Sequence, residues 1–321
     1  MANEIAATEQ GLSPSSLVFF ASAPGHTGYG IAQLAKGSGW YQHLLDHVVE
    51  AKARATTAGK SYACHAIGWM QGESDAQADT PTYKASLKQL AADLDADIRA
   101  ITGQTAPARL LTYQTAGSNG TATLARVAAV RQAQFEAVAE SPLILFAGPI
   151  AHLAAAGDQI HLTNVSELRF AKTMGRALKQ LLVEGREPDC IWPASATARG
   201  TKLTVRFRVP RFPLVLDAAT FGAITDLGWR VQDDTGTLTI SAIAVSSSGD
   251  AVTMTLSRAL AANPRVRHAL DYQSSTTSFT LSPSGCLRDS TEGETTIFGA
   301  TYPLWHVAPA FQLPIIALPG A

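Results

Sequence analysis

The sequence predicts a parallel α/β sheet with flanking helices, followed by an antiparallel β-sandwich. From residue 16 to about 185, short apolar runs alternate with longer segments whose apolar residues recur three and four apart, the mark of strand and helix in turn. The runs are nearly continuous in apolar character, which suits strands buried on both faces. Past residue 187 the period changes to two, as in strands with one face in a core.

The runs are SLVFFASA (16–23), ACHAIGWM (63–70), RLLTYQ (109–114) and PLILFAG (142–148). Between them lie helical stripes: Tyr41, Leu44, Leu45 and Val48; then Tyr83, Leu87, Leu90, Leu94, Ile98 and Ile101; then Leu124, Val127, Phe135 and Val138. A fourth stripe, Leu168, Ala171, Met174, Leu178 and Leu181, ends before Gly185. These elements make residues 1–186 an α/β domain. Residues 187–200 carry prolines and glycine and read as a linker, and 201–321 read as the β-sandwich. In TKLTVRFRV (201–209), Leu203, Val205, Phe207 and Val209 share one face, and short strands follow at 237–245, 251–257 and 267–273.

Composition excludes several functions. The chain has 321 residues, 46% hydrophobic and 16% charged, and a formal charge of −1. It offers no electrostatic reason to bind nucleic acid or an anionic membrane. No run approaches the roughly 20 apolar residues that span a bilayer, and MANEIAATEQ lacks a basic start and apolar stretch. Localisation is left open, with secretion or a place on a virion both compatible. Cys64, Cys190 and Cys286 are odd in number, far apart and without metal-ligand spacing.

In parallel α/β sheets, ligands bind beyond the carboxyl ends of the strands. Every such end here opens onto polar or glycine-rich text: PGHTGYG (24–30), QGESD (71–75), Tyr113-Gln114-Thr115, and Asp158 to His161. Asp158 and His161, three apart, suit a carboxylate that fixes an imidazole tautomer while the other ring nitrogen takes a proton. The same spacing also occurs at a helix entrance, with Asp158 or Thr163 capping. Gln71 could donate to an oxyanion and Glu73 could orient a loop, or both could belong to a polar turn. Gly28 could let a backbone N–H approach a substrate, or could simply mark a turn. Trp40 could stack on a sugar and Gln114 could contact it. His43 and His47 are one helical turn apart, with no third metal ligand evident.

With G-W-M-Q-G-E-S-D (68–75) and D-Q-I-H-L (158–162) side by side in one α/β domain, the sequence resembles the SGNH-hydrolase superfamily. Within it, the chain looks most like the sialate O-acetylesterase and family 6 carbohydrate-esterase group. The resemblance covers about residues 16–185 and includes GHTGYGIAQLAKGSGWY (25–41) as a glycine block. The β-rich tail with G-C-L-R-D-S (285–290) is similar to an accessory domain found in such proteins. The resemblance implies a flavodoxin-like sheet and removal of an acetyl group from a sugar hydroxyl through an acyl-enzyme, without metal or organic cofactor. It makes His161 the base, Asp158 its orienting acid, Gln71 and the Gly28 N–H oxyanion donors, and Glu73 a brace.

The resemblance also implies an earlier block with a G-Q-S-N-like turn bearing the nucleophilic serine. The 24 residues before Gly25 contain no such turn. In the flavodoxin-like order 2-1-3-4-5, the strand leading to that turn sits between strands the chain does possess. The expectation is that an N-terminal partner chain or segment supplies strand and serine; Ser22 and Ser74 are weaker substitutes. The alternative is a non-catalytic glycan-binding or structural protein, such as a phage tail or virion component. An oligomer, and the role of the β-domain, are left open.

Overall fold

The computed structural model describes residues 18–75, 78–117, 124–158, 160–222, 224–270 and 285–319. Its α/β domain is built on three parallel strands in the order β1 (Ala66–Trp69), β2 (Arg109–Gln114), β3 (Ile144–Pro149). Helix α1 (Ile31–Leu34) and helix α2 (Gly39–Thr57) precede β1, α3 (Thr80–Thr102) follows it, α4 (Leu124–Glu140) follows β2, and α5 (Asn164–Leu182) follows β3.

The apolar spacing sets which face each helix buries. On α3, Tyr83, Leu87, Leu90, Leu94 and Ile98 are all nearly inaccessible and meet Tyr41 and Val48 of α2 and Val130, Ala133 and Ala137 of α4. The same helix starts on Asp79, whose carboxylate accepts from the Thr82 N–H, and stops at Gly103 in the left-handed region. The other sheet face is covered by α5, where Met174, Ala177, Leu178 and Leu181 pack on Leu111, Leu145 and Ala147. Strands β2 and β3 are thus buried on both sides, as their unbroken apolar runs require.

Two expectations need correction. Residues 18–23 form no strand, and Val18 and Phe20 are 70% and 54% exposed. In the expected order this run has a single neighbour, which is absent among the described residues, so its N–H and C=O groups have nothing to pair with. Correspondingly, among the described residues β1 pairs with β2 alone. Second, the stretch 187–200 is mostly not linker. Trp192–Arg199 is strand β4, because Pro193 sits at the strand's start and Ala196 and Ala198 face the core.

The β-domain holds two main sheets. One has the order β16 (Ile316–Ala317), β4, β5 (Lys202–Arg208), β10 (Ala251–Leu256), β9 (Ile240–Val245). The other has β15 (Phe311–Pro314), β11 (Arg265–His268), β7 (Trp229–Asp233), β8 (Gly236–Leu238). Two short ribbons, β6 (Val215–Leu216) with β12 (Leu287–Arg288) and β13 (Glu294–Ile297) with β14 (Ala300–Pro303), lie beside them; pairing is antiparallel except for β16, which lies parallel to β4. Leu203, Val205 and Phe207 point inward from β5 to meet Val252, Met254, Trp229, Val231, Val266 and Phe311, one sandwich core. No helix among the described residues is long and apolar enough to cross a membrane.

The two domains share α4. Its Phe135 belongs to the β-domain core, stacking on Trp192 at 4.6 Å and lying 5.8 Å from Phe311. Two small cavities open at this junction, one lined by His152 and His268, the other by His152 and His306. Each of these imidazoles has a buried ring nitrogen with no partner among the described residues. Burial pushes the pKa of His268, 1% exposed, down to about 4, with its Nδ1 bonded to the Pro309 carbonyl. The fold therefore holds the neutral ring, whereas the unfolded chain takes up its proton near pH 6.5. This contribution, ~3 kcal/mol, is fully present above pH 6.5 and is lost as pH falls toward 4. Urea midpoints measured between pH 7.5 and 4.5 should fall, and His268→Gln should flatten that slope. An identical slope in the variant would contradict the assignment.

Candidate active site

The loop after β1 is fixed from all sides. Gln71 is 6% exposed; its Oε1 accepts from the Tyr83 hydroxyl at 2.8 Å, and its Nε2 donates to the Tyr29 carbonyl at 3.3 Å and to the Asp75 carboxylate. Asp75 Oδ2 also accepts from the Ile31 N–H at 2.7 Å, tying this loop to the glycine loop. That contact explains a glycine: a Cβ on Gly30 would lie 3.1 Å from Asp75 Oδ1. Glu73 Oε1 accepts from the Tyr113 hydroxyl and, at 2.6 Å, from Thr115 Oγ1. Burial and the Glu73 charge hold the Tyr113 phenol protonated, well above its ordinary value, so it stays a donor.

Beyond β3, residues 154–163 fold back on themselves. The Ala156 N–H donates to the His161 carbonyl at 2.6 Å and the Thr163 N–H to Ala154 at 3.1 Å. At the tip, Asp158 Oδ1 accepts from the N–H groups of Ile160 and His161, both at 3.0 Å, and Oδ2 lies 2.5 Å from His161 Nδ1. The bond to His161, and then the two backbone donors, hold the Asp158 carboxyl at about 2. His161 is raised in turn, first by its bond to Asp158; the Asp158 charge adds, and so do the nearby Glu73 and Glu167 carboxylates. The Glu73 charge thus reaches the imidazole from the loop after β1. The His161 side chain is 65% exposed, and among the described residues its Nε2 has no partner. Helix α5 is capped by Thr163, which leaves Asp158 to the imidazole.

An ionised carboxylate on Nδ1 and an open, basic Nε2 make a proton acceptor for a hydroxyl nucleophile. Residues 2–180 match the family model of carbohydrate esterases described as sialic acid-specific acetylesterases. The chain belongs to this family. Among solved structures, a carbohydrate acetylesterase from Xanthomonas citri aligns at 20% identity with a TM-score of 0.47, covering 64% of this chain. This chain spans 44% of that protein's length. The N-terminal part of the bacterial S-layer protein SbsC aligns at 13% identity and a TM-score of 0.24, covering 98% of this chain and 67% of the other. No curated protein matches the chain.

Two expected roles for this esterase-family chain do not fit the geometry. Gln71 is not a free oxyanion donor, because its amide is taken up by Tyr29, Asp75 and Tyr83. Gln114 is not a substrate contact. It is 1% exposed and makes a reciprocal pair with Ala310, accepting from its N–H and donating to its carbonyl, both at 2.7 Å. Gly28 lies at an exposed turn with φ +78°. Trp40 is half-buried beside it, 4.6 Å from the His26 ring and 6.3 Å from Tyr29. The His43 and His47 rings lie 4.4 Å apart at a tilt of 56°, and no group of three metal-binding side chains occurs among the described residues.

Sequence reasoning missed Asp75, although it is the last letter of the W-x-Q-G-E-x-D pattern. It also missed Arg131 and Gln134, which are buried at 0% and 1%. Their signal was available: two polar side chains three apart among the small apolar residues of α4.

Proposed function

We propose that this chain carries the acid–base half of a carbohydrate O-acetylesterase that releases acetate from an acetylated glycan. The observation that carries the reading is the Asp158–His161 pair, with the imidazole exposed and raised in basicity, inside the region that matches the family. His161 Nε2 takes the proton of a serine hydroxyl as the serine oxygen attacks the acetyl carbonyl. The imidazolium then returns that proton to the leaving sugar oxygen, and water repeats the cycle to free acetate. Asp158 stabilises the imidazolium and fixes the tautomer.

No described residue hydrogen-bonds to Nε2, and we place the serine outside the described residues. Among the described residues the edge of β1 away from β2 is unpaired and would accept a parallel strand, with the exposed Val18 and Phe20 as a second flank. We assign the nucleophile to a strand seated there, with the Gly28 N–H as an oxyanion donor and Trp40 beside the sugar. A second reading, a glycan-binding or structural protein without turnover, is favoured by one observation: the Gln71 amide is already spoken for.

The test is acetate release from an O-acetylated sialic acid and from p-nitrophenyl acetate, with fluorophosphonate labelling to locate the serine. Saturable glycan binding with neither turnover nor labelling selects the second reading. Because the base must be neutral and its pKa is raised, kcat/KM should climb with pH through an inflection above 6.5. In Asp158→Asn the inflection should move down; an unshifted profile would remove His161 as the base.

A further inference from the structure

We infer that the β-domain is a working part of this site, and that Arg131 is the positioning residue through which its docking fixes the Glu73 loop. The inference rests on the reading of the Glu73–His161 cluster as an active site.

Arg131 is completely buried on α4. Its Nε donates to the Thr115 carbonyl at 2.9 Å, Nη2 to the Ala116 carbonyl, and Nη1 to the Ala269 carbonyl of the β-domain at 3.2 Å. One planar fork thus grips two successive carbonyls of the loop after β2 and one carbonyl 138 residues away. Thr115 is the member of that loop that reaches Glu73, through Oγ1 at 2.6 Å. Its N–H is held by Gln134 Oε1 at 3.0 Å, and Gln134 Nε2 holds the Gln71 carbonyl at 2.9 Å. The route is continuous: Ala269, Arg131, Thr115, Glu73, and from Glu73 through space to His161.

Two further observations separate this from ordinary domain adhesion. Apolar contact alone already joins the domains, through Phe135, Trp192 and Phe311. A desolvated guanidinium is a costly addition unless its geometry is used, and here it holds two successive carbonyls of the loop that carries Thr115 to Glu73. In addition, Ala269 has φ +54°, a left-handed conformation that costs a non-glycine residue about 1–2 kcal/mol. Backbone strain of this kind persists where surrounding structure holds it for a purpose, here a carbonyl presented to Arg131.

The test uses the full chain together with whatever partner supplies the nucleophile. Arg131→Lys keeps the charge and loses the fork. It should lower kcat roughly tenfold with KM unchanged within about twofold. By NMR titration, the His161 pKa should move down, as it should also in Glu73→Gln. The double variant should show no further shift beyond Glu73→Gln alone, because the effect passes through Glu73. Thr115→Val, nearly isosteric, cuts the same route at its last step and serves if Arg131→Lys does not fold. An unmoved His161 titration in both variants, or shifts that add in the double variant, would overturn the inference. Coupled titrations without esterase turnover would instead refute the proposed function and leave the positioning route standing.

Discussion

His161→Ala is expected to lower kcat for acetyl-ester hydrolysis by about 10³- to 10⁴-fold while leaving KM nearly unchanged, the range expected when a positioned general base is removed. The fold should be indifferent to the change. The side chain is mostly exposed, and the bonds that shape its turn come from Asp158 to the backbone, so unfolding free energy should move by less than about 0.5 kcal/mol. Asp158→Asn separates two roles of the carboxylate. An asparagine oxygen still accepts from the Ile160 and His161 N–H groups, but its NH₂ faces Nδ1 and drives the proton to Nε2, the wrong tautomer for a base. A comparable loss of kcat should follow, with the turn intact. Equal acetate release by the wild type and His161→Ala, at matched concentration and with the serine donor present, would remove this histidine from the chemistry.

Gly72→Ala should cost the fold about 2–4 kcal/mol. Gly72 has φ +148°, and a Cβ there would lie 2.9 Å from Gln134 Nε2, 3.2 Å from Val130 Cγ1 and 3.3 Å from Thr115 Cγ2. None of these can retreat freely. Gln134 is bonded at both ends of its amide, Val130 is fully buried in the core, and Thr115 is gripped by Arg131 and Glu73. Since Gly72 lies between Gln71 and Glu73, the strain falls on the site as well. Thermal unfolding should begin roughly 5–12 °C lower, and activity should fall further than His161 titration alone would explain. A melting temperature within about 1 °C of the wild type would show that the neighbours yield.

Much of the α/β domain was legible because its packing is periodic. The α3 stripe, Tyr83 to Ile98, repeats at three and four residues and is buried as read. The Asp158–His161 pair was legible because it is local: three residues set both the turn and the hydrogen bond. What escaped reading depends on partners far along the chain. Gln114 looked available at a strand end, yet Ala310, 196 positions later, takes both ends of its amide. Arg131 drew no reading from its helix, because its acceptors Thr115, Ala116 and Ala269 lie on other elements. SLVFFASA had the composition of a strand, but a strand also needs an adjacent edge, and composition does not report one. Gln71 was assigned a free amide because the sequence does not show that Asp75 turns back onto it.

Helix α4 is a wall common to two rooms. Val130 and Ala133 furnish one, Phe135 furnishes the other, and Arg131 runs through it. A fragment severed near residue 186 would turn the Phe135 ring outward to water and leave the Arg131 guanidinium without its Ala269 acceptor. Such halves do not travel alone, so in evolution this pair would be shuffled, duplicated or lost as a single cassette rather than as separable modules.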